Sequence, residues 1–439
     1  MRPSSFFNAF RFMRGNILVL SISGSLGMFC RNMVFPYTPL FILSLGGQPA
    51  EIGFIYALAP LGGLIAFPIA GYLADRADRA KIIAYTGFFS SAVYVLYIVA
   101  QSWHWLALAR LLLGFAILQH PATSAIVADS LTSKNRGRGM ATMTTLSGGL
   151  AMLAPLVAGF TLDAYGIDVG MRVLFAIMAV LTSVGATINL FFIKSDGAQK
   201  NEPIEISQIA RSLKQAYTGI PSLLKSFPPS LRALGLIVIL GFMANGIASP
   251  FWVVYAQDQI GLSAAQWGLV LLIEAVLGNA IRIPAGFLAD RYARGRILFA
   301  ALLLCCAVGP LFLFANTLVH VVAIRCLIAV SMAFFSPASS ALFADAIPRE
   351  IRGRAMAAIG RGNVRIGAAS GGTGGPGVGF LTILPLMAAS FAGGLLYQWN
   401  STIPWIILFA ITAITVILTA LFVRDPRTLQ GNQEEGSKG

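Results

Sequence analysis

Twelve long apolar segments constrain this chain more than any other feature of its 439 residues. Each segment has about 18 to 28 residues, and a helix needs about 20 apolar residues to cross the hydrocarbon core of a bilayer. Charged residues make up only 11% of the sequence, whereas a soluble protein carries about 25%. The pattern excludes a soluble globular protein. It predicts an all-α membrane protein with 12 transmembrane helices.

The apolar segments fall into two groups of six. The first group lies in residues 1–193 and the second in residues 233–423, with the polar stretch 194–232 between them. We expect two six-helix bundles, a linker and a tail over residues 424–439. Within the linker, Ile206, Leu213 and Ile220 recur at helical spacing. This spacing fits either a short amphipathic helix on the membrane surface or a solvated segment with nascent helix.

The basic residues are distributed unevenly along the chain. Lys and Arg total 31 against 17 Asp and Glu, and 26 of the 31 lie in the N-terminus, the C-terminus or the connections that follow even-numbered segments. Cytoplasmic loops of membrane proteins collect Lys and Arg. We therefore expect an integral protein of the plasma (inner) membrane with both termini in the cytoplasm. The positive charge then reflects topology in the lipid bilayer, and we expect no nucleic acid as a partner.

Motifs for catalysis or metal binding do not occur in the sequence. Cys30, Cys305, Cys306 and Cys326 all lie in apolar stretches, with neither a disulfide framework nor zinc-ligand spacing. We find no nucleophile motif, no carboxylate pair and no ATP-binding motif. The sequence therefore predicts no enzymatic activity, no cofactor and no metal.

The two halves of the chain repeat four sequence elements in the same order. The pairs are GYLADRADRAK (71–81) with GFLADRYARGR (286–296), Arg110 with Arg325, PATSAIVAD (121–129) with PASSALFAD (337–345), and RGRGMA (136–141) with RGRAMA (352–357). Chance does not place four such elements in order twice. The chain is therefore predicted to be a duplicated six-helix unit, with parallel repeats about an axis along the membrane normal.

These motifs resemble those of the major facilitator superfamily over nearly the whole chain. The GYLADRADRAK loop is similar to that family's most specific signature, and Leu106-x-x-x-Arg110-x-x-x-Gly114 is similar to its span-four arginine motif. The sequence from Ala154 to Gly159 is similar to the Gly-Pro-x-x-Gly-Gly motif of its antiporters, with Ala in place of two glycines and with Pro155 as the helix-bending residue. The resemblance implies a secondary transporter that works by alternating access, usually as a monomer.

The resemblance also implies a cytoplasmic gate. Arg79 would reach Asp129, while Asp75 would face the start of span eleven, where the helix dipole favours a carboxylate. Asp290, Arg294 and Asp345 would form the corresponding set in the second half, and Arg76 and Arg291 belong to the same two motifs. These contacts would hold the halves together in the outward-open state. The alternative is that the charges only fix topology.

Charged residues inside spans are costly and mark candidate functional sites. With a helical rise of about 1.5 Å per residue, Arg31, Arg110, Glu274 and Arg325 lie at a similar depth, and Asn245 is the counterpart of Arg31. The resemblance implies that spans one, four, seven and ten line a central cavity. Glu274 is the only carboxylate well inside a span. It is predicted to be an arginine's ion-pair partner, a protonatable coupling group, or each in turn.

The substrate prediction rests on the charge balance within the spans. Arg282 resembles the anion-binding arginine of the family's nitrate-type members, although its span-two counterpart here is Phe67. Within the spans, arginines outnumber acids four to one. We therefore expect a small organic anion or amphiphile as substrate and protons as the coupling ion. One alternative is multidrug efflux by proton antiport of lipophilic compounds. The other is a non-transporting membrane receptor or assembly factor on the same fold.

A glycine-rich stretch interrupts the similarity between the halves. Residues Gly367–Gly379 have no counterpart in the first half. The stretch is predicted to be either a flexible segment or a re-entrant start of span eleven.

Overall fold

The computed structural model describes residues 14–132, 136–194, 227, 229–347, 352–360, 366–367 and 379–423. Every regular element in these residues is a helix, and 12 helical segments are long and apolar enough to cross a membrane. Helices suit hydrocarbon because they satisfy their backbone hydrogen bonds internally. The fold class predicted from hydropathy is therefore confirmed. The predicted linker helix and the tail over residues 424–439 lie outside the described residues.

Six spans make up the first half. Span one consists of α1 (Asn16–Val34) and α2 (Thr38–Ser44), span two of α3 (Pro49–Arg76), span three of α4 (Arg79–Ile98), span four of α5 (Trp103–Leu113) and α6 (Gln119–Ser130), span five of α7 (Arg136–Ala151) and α8 (Ala154–Tyr165), and span six of α9 (Ile167–Phe192).

The second half has the same number of spans. Span seven consists of α10 (Pro229–Ala248) and α11 (Phe251–Asp258), span eight of α12 (Ala264–Arg291), span nine of α13 (Arg294–Val308) followed by a 3₁₀ segment (Gly309–Phe314), span ten of α14 (Leu318–Ala346), span eleven of α15 (Arg352–Ile359) and α16 (Phe380–Trp399), and span twelve of α17 (Ile403–Phe422).

The two membrane faces of the bundle can be told apart by their ion pairs. Arg79 pairs with Asp129 in the first half, and Arg294 pairs with Asp345 in the second. Both pairs follow even-numbered spans, so they lie on the same face. We call this the motif face and the opposite one the distal face. Because the number of spans is even, both ends of the described chain also lie on the motif face.

The two halves contact each other through spans two and eleven and through spans five and eight. Span two packs against α16, and α8, the distal part of span five, packs against span eight. The motif-side part of span five, α7, packs against span one of its own half. The hydrogen bonds that join the two halves lie mainly near the distal face.

Small residues allow these crossings to be close. A Cβ added to Gly53 would lie 2.5 Å from the carbonyl oxygen of Ser390, and one added to Gly268 would lie 2.5 Å from that of Pro155. Membrane helices approach through glycine because lipid supplies no hydrophobic force to press larger side chains together. The glycines therefore fix where the halves can touch.

An aromatic cluster fills the core of the second half. The Trp252 ring lies 4.5 Å from the Phe312 ring and 4.7 Å from the Trp405 ring, both measured between centroids. Tyr255 packs against the same two rings. Trp252 of this cluster also lies against Arg325, with 4.6 Å between the guanidinium carbon and the ring centroid.

Candidate functional site

A cavity of about 270 Å³ lies between the two halves. Spans one and five supply its walls from the first half, and spans eight and ten supply them from the second. Most of the lining is apolar. The polar side chains that line the cavity are Asn32, Thr144, Glu274, Asn279, Arg282 and Ser336.

Glu274 and Arg325 form an ion pair at the wall of this cavity. Arg325 donates from Nε and Nη2 to Oε2 of Glu274, at 2.9 and 2.6 Å. The arginine side chain is fully buried, whereas 23% of the glutamate side chain is exposed. The glutamate therefore separates the arginine from the cavity. The equal depth predicted for these two residues is confirmed, and the ion-pair alternative for Glu274 describes this state of the protein.

Two further groups hold the Arg325 guanidinium. Its Nη1 donates to the carbonyl oxygen of Gly367 at 2.6 Å. Its central carbon lies 4.6 Å from the centroid of the Trp252 ring, within the range of a cation–π interaction. Buried charge is tolerated only with such compensation, because unpaired charge in a low-dielectric interior is very costly.

Arg282 is the one arginine that lines the cavity. It is exposed, and its Nη1 donates to the side-chain oxygen of Asn279 at 3.0 Å. Asn279 in turn donates to the carbonyl oxygen of Ala275 at 2.8 Å. The prediction that Arg282 lies closer to the motif face than Glu274 agrees with its place on α12.

The other residues predicted to line the cavity lie elsewhere. Arg110 is buried with its guanidinium carbon 4.7 Å from the Tyr56 ring centroid and 5.2 Å from that of Phe35. Arg31 stacks on the same Phe35 ring at 6.0 Å. Asn245 is buried, and its side-chain oxygen has no hydrogen-bond partner among the described residues. Arg110 and Asn245 do not line this cavity, although the sequence predicted it, because their side chains point towards neighbouring helices.

The charge pairs expected from the loop motif are present in both halves. Arg79 donates from Nη1 to Asp129 at 2.7 Å and from Nε to the carbonyl oxygen of Ala74 at 3.1 Å. Arg294 makes the equivalent contacts with Asp345 and with the carbonyl oxygen of Ala289. Each pair ties the loop between two spans to the end of span four or ten. Their role in gating remains a prediction.

The remaining motif residues behave differently from one another. Arg76 stacks on Tyr72 with its guanidinium carbon 4.8 Å from the ring centroid, and Arg291 is exposed. Asp75 is exposed as well, and no ion pair to it occurs among the described residues. The side chain of Asp290 and those of residues 352–354 lie outside the described part. The predicted contact of Asp75 with span eleven is thus not seen in this state.

Asp163 joins the two halves at the distal face. It lies near the end of span five, and its carboxylate accepts from the backbone N–H groups of Ala264 and Ala265 at 2.9 and 3.1 Å. It also accepts from the hydroxyl of Ser263 at 2.8 Å. These donors form the N-terminus of span eight, where the helix dipole favours negative charge. A carboxylate of one half therefore caps a helix of the other.

Two more contacts complete what we call the distal gate, made of Tyr37, Gln48, Asp163, Ser263, Ala264, Ala265 and Gln398. The buried Tyr37 hydroxyl lies within hydrogen-bond distance of the carbonyl oxygens of Pro155 and Ala264, at 2.7 and 3.0 Å. Gln398, at the end of span eleven, donates to Gln48 at 2.6 Å and accepts from Ala50 N–H at 3.2 Å. These contacts join the two halves on the distal side of the bundle.

Pro155 contributes to this gate through its position in a broken helix. Span five is interrupted between Ala151 and Ala154, and Pro155 lies in the first turn of α8. Proline fits there because the first turn needs no backbone donor. The helix-bending role expected of Pro155 stays a prediction.

Sequence reasoning missed Asp163, Gln48 and Gln398. Asp163 offered a signal, because it is an acid at the distal end of a span and has no basic residue beside it in the sequence. The two glutamines offered none, since exposed amides at span ends are common. The cap across the halves depends on how the bundles dock.

Comparisons with known proteins agree with this architecture. The profile of the Major Facilitator Superfamily matches residues 20–371 and 234–438. The chain is 28% identical over 284 residues to Multidrug resistance protein MdtG of Enterobacter lignolyticus (strain SCF1), which covers 62% of this chain and 64% of that protein. It is 26% identical over 385 residues to Multidrug resistance protein MdtG of Salmonella typhi, which covers 84% of this chain and 91% of that protein.

A solved structure has the same fold. It is that of a bacterial homolog to the human lysosomal transporter Spinster, in an inward-facing and occupied conformation. The TM-score is 0.68 at 15% sequence identity, over 93% of this chain and 97% of that one. Twelve spans in two bundles around a shared cavity define a polytopic membrane transporter. The chain belongs to the Major Facilitator Superfamily and is an integral membrane protein that transports small molecules.

Replacing Asp163 with Ala should open the distal face. The loss of a helix cap costs about 1 kcal/mol, and here the cost falls only on the state in which the halves touch. We expect the distal-open population to rise about fivefold. Spin labels at the exposed distal positions Gln101 and Asn316 would report the change as a longer distance in pulsed dipolar spectroscopy.

Asp78→Ala is the matched control for this experiment. Asp78 caps span three by accepting from Ala80 N–H, at 2.9 Å, and therefore acts within one half. Its loss should lower stability without changing the distance between the labels. An unchanged distance in Asp163→Ala would show that its cap does not hold the gate.

Replacing Glu274 with Leu should destabilise the protein, because it leaves the fully buried Arg325 without a carboxylate. Removal of one partner from a buried pair costs about 3 kcal/mol. The double variant Glu274→Leu/Arg325→Met should recover part of this loss, since no charge then remains unpaired. The thermal unfolding midpoint of the purified protein in detergent would test both expectations. Equal midpoints for Glu274→Leu and wild type would contradict them.

Proposed function

We propose that this transporter exports amphiphilic organic compounds in exchange for protons, with Glu274 as the coupling group. One observation carries the proposal: a single carboxylate lies between a buried arginine and the cavity that both halves share. Such a group can bind a proton or a cationic part of a substrate, and the arginine compensates its charge when neither is bound. Competition for one site couples the two fluxes.

The lining of the cavity supports an amphiphilic substrate. Methionine, leucine, isoleucine, alanine and proline side chains cover most of the wall, and Met28, Met152 and Met332 lie among them. Methionine suits varied ligands because its side chain is flexible and polarizable. The relatives from Enterobacter lignolyticus and Salmonella typhi are named multidrug resistance proteins. Both observations favour lipophilic compounds of more than one shape.

The preference for an anion loses part of its basis in the structure. Arg325 is neutralised by Glu274, and neither Arg31 nor Arg110 lines the cavity. Arg282 is the observation that keeps an organic anion as the second candidate, because it does line the cavity. An amphiphile with an acidic group could use Arg282 and the apolar wall together.

The side from which the cavity is accessible follows from the orientation that we propose. The distribution of Lys and Arg supports a cytoplasmic motif face, with both termini in the cytoplasm of the plasma (inner) membrane. The closed distal gate then belongs to a state in which the cavity is accessible from the cytoplasm. One chain contains both halves of the cavity, so we propose that it works as a monomer.

Replacing Glu274 with Gln should suppress substrate-driven proton movement, because an amide neither binds nor releases a proton in the physiological pH range. We would reconstitute the protein in liposomes with a pH-sensitive dye inside and add lipophilic cations or organic anions in turn. Wild-type protein should show proton movement when amphiphiles are added. In the variant, the rate of this proton movement should be at least tenfold lower.

Glu51→Gln is the matched control for charge removal. Glu51 accepts from Gln48 N–H at 2.7 Å at the start of span two, away from the cavity. It should retain the wild-type response. A response only to anions would favour the second candidate. No proton movement with any compound, in wild type, would contradict proton coupling and leave a receptor or assembly role open.

The motif-face residues are proposed to stabilise the opposite, distal-open state. In that state Asp75 would approach the start of span eleven, and Asp75→Asn should weaken this contact, because it removes the negative charge that the helix dipole favours. We expect slower transport and a larger distal-closed population, measured with the labels at Gln101 and Asn316. Asp78→Asn is the control, because asparagine still caps a helix. Wild-type transport in Asp75→Asn would argue that the motif charges only fix topology.

A further inference from the structure

We propose that Gly367 is a positioning residue for transport. Its backbone carbonyl, which lies in the sequence between α15 and α16, fixes the Arg325 guanidinium against Glu274. The inference rests on the proposed coupling role of Glu274. It goes beyond that role because it assigns a function to a segment that the first half of the chain lacks.

The first observation is the place of the insertion. In the first half, α7 ends at Ala151 and α8 begins at Ala154, so the two parts of span five nearly abut. In the second half, α15 begins at Arg352, the repeat counterpart of Arg136, and ends at Ile359, whereas α16 begins only at Phe380. Twenty residues, 360–379, therefore separate α15 from α16.

The second observation is how far the chain travels between these two helices. Gly379 packs directly against the backbone of Gly360, so the segment returns to the point where it left. Between them, Gly367 contacts Arg325. Arg325 lies 20 residues before Asp345 on one helix, which is about 30 Å from the motif face. Gly367 therefore lies deep in the bundle.

The third observation is the geometry around Arg325. A guanidinium carries five N–H donors in a rigid planar fork. Nε and Nη2 donate to Glu274, and Nη1 donates to the carbonyl of Gly367. One face of the guanidinium plane lies on the Trp252 ring. The carbonyl occupies the corner of the fork that the carboxylate leaves open. It therefore stops the guanidinium from turning its paired edge away from Glu274.

Glycine is required at this point by both conformation and space. Gly367 has φ +76°, which L-residues with a side chain rarely adopt. A Cβ there would lie 3.4 Å from Cγ2 of Ile328 and 3.8 Å from the Trp252 ring. The space is tight but not blocked. An added methyl group should therefore act mainly through the backbone angle, and it would move the carbonyl away from Arg325.

Three variants separate this role from general strain. Gly367→Ala disfavours the observed backbone angle, whereas Gly367→Asn should retain part of the wild-type activity, because asparagine tolerates positive φ. Gly46→Ala introduces the same strain at a glycine with φ +80° and no neighbour within 4 Å. All three would be purified and reconstituted beside wild type.

Two transport assays distinguish positioning from misfolding. Proton-driven transport of an amphiphilic cation needs Glu274 to exchange its partners, whereas substrate counterflow at equal pH needs only binding and alternation. In Gly367→Ala we expect about a tenfold loss of proton-driven transport, with counterflow retained. Gly367→Asn should lose less, and Gly46→Ala should lose neither activity. Equal losses of both activities in Gly367→Ala, or no loss of either, would overturn the proposal.

Thermal unfolding tests the contact without reference to protons. Gly367→Ala should lower the unfolding midpoint in the wild-type background. In the Glu274→Leu/Arg325→Met background it should lower the midpoint no more than Gly46→Ala does, because no guanidinium remains to be held. The same loss in both backgrounds would refute the contact. If this coupling is found but wild type shows no proton-driven transport, the proposed function fails while the Gly367–Arg325 contact stands.

Discussion

Hydrocarbon offers no hydrogen-bond partners, and the structure of this protein depends on that constraint. Every backbone polar group inside the membrane must be satisfied by the chain itself. The spans are therefore helical, and breaks in them lie beside proline or glycine. The same constraint governs side chains, because a charge at this depth requires a partner. The Glu274–Arg325 pair and the carbonyl of Gly367 meet this requirement by contacts between segments that are distant in sequence.

The two halves compensate their buried arginines differently, although they repeat one six-helix unit. Arg110 and Arg325 are counterparts, and both stack on aromatic rings. At the repeat offset that matches these arginines, Glu274 corresponds to Ala59, so the first half has no acid to pair with its arginine. The inserted segment adds a carbonyl to Arg325 alone. The two halves therefore share a frame, but only the second has an acid at this position beside its arginine.

The contacts at helix ends differ between the motif face and the distal face. At the motif face each Arg–Asp pair lies within one half and holds a loop on its own bundle. At the distal face, Asp163 and Gln398 reach across to the first turns of spans eight and two in the other half. Contacts of the first kind can persist during rocking of the halves. Contacts of the second kind must break, so they belong to one conformation.

Much of the fold followed from residue pattern alone. Hydropathy predicted the spans, and the resemblance to a known family implied the Arg79–Asp129 and Arg294–Asp345 pairs. Depth along the helices predicted that Glu274 and Arg325 share a level. Each of these inferences needs only the rise of a helix or a sequence match. The cavity lining was predicted less well, because the rotation of a helix about its axis depends on packing, which turned Arg110 and Asn245 away from the cavity.

The sequence by itself determined the number of spans, the duplication and the depth of the buried charges. These are properties of single helices or of neighbouring segments. Only the tertiary structure decided that Asp163 caps span eight, that Arg325 lies behind Glu274, and that Gly367 reaches Arg325. Each of these contacts joins residues more than 40 positions apart. Their formation depends on how two bundles and one inserted segment pack, and no local pattern encodes that.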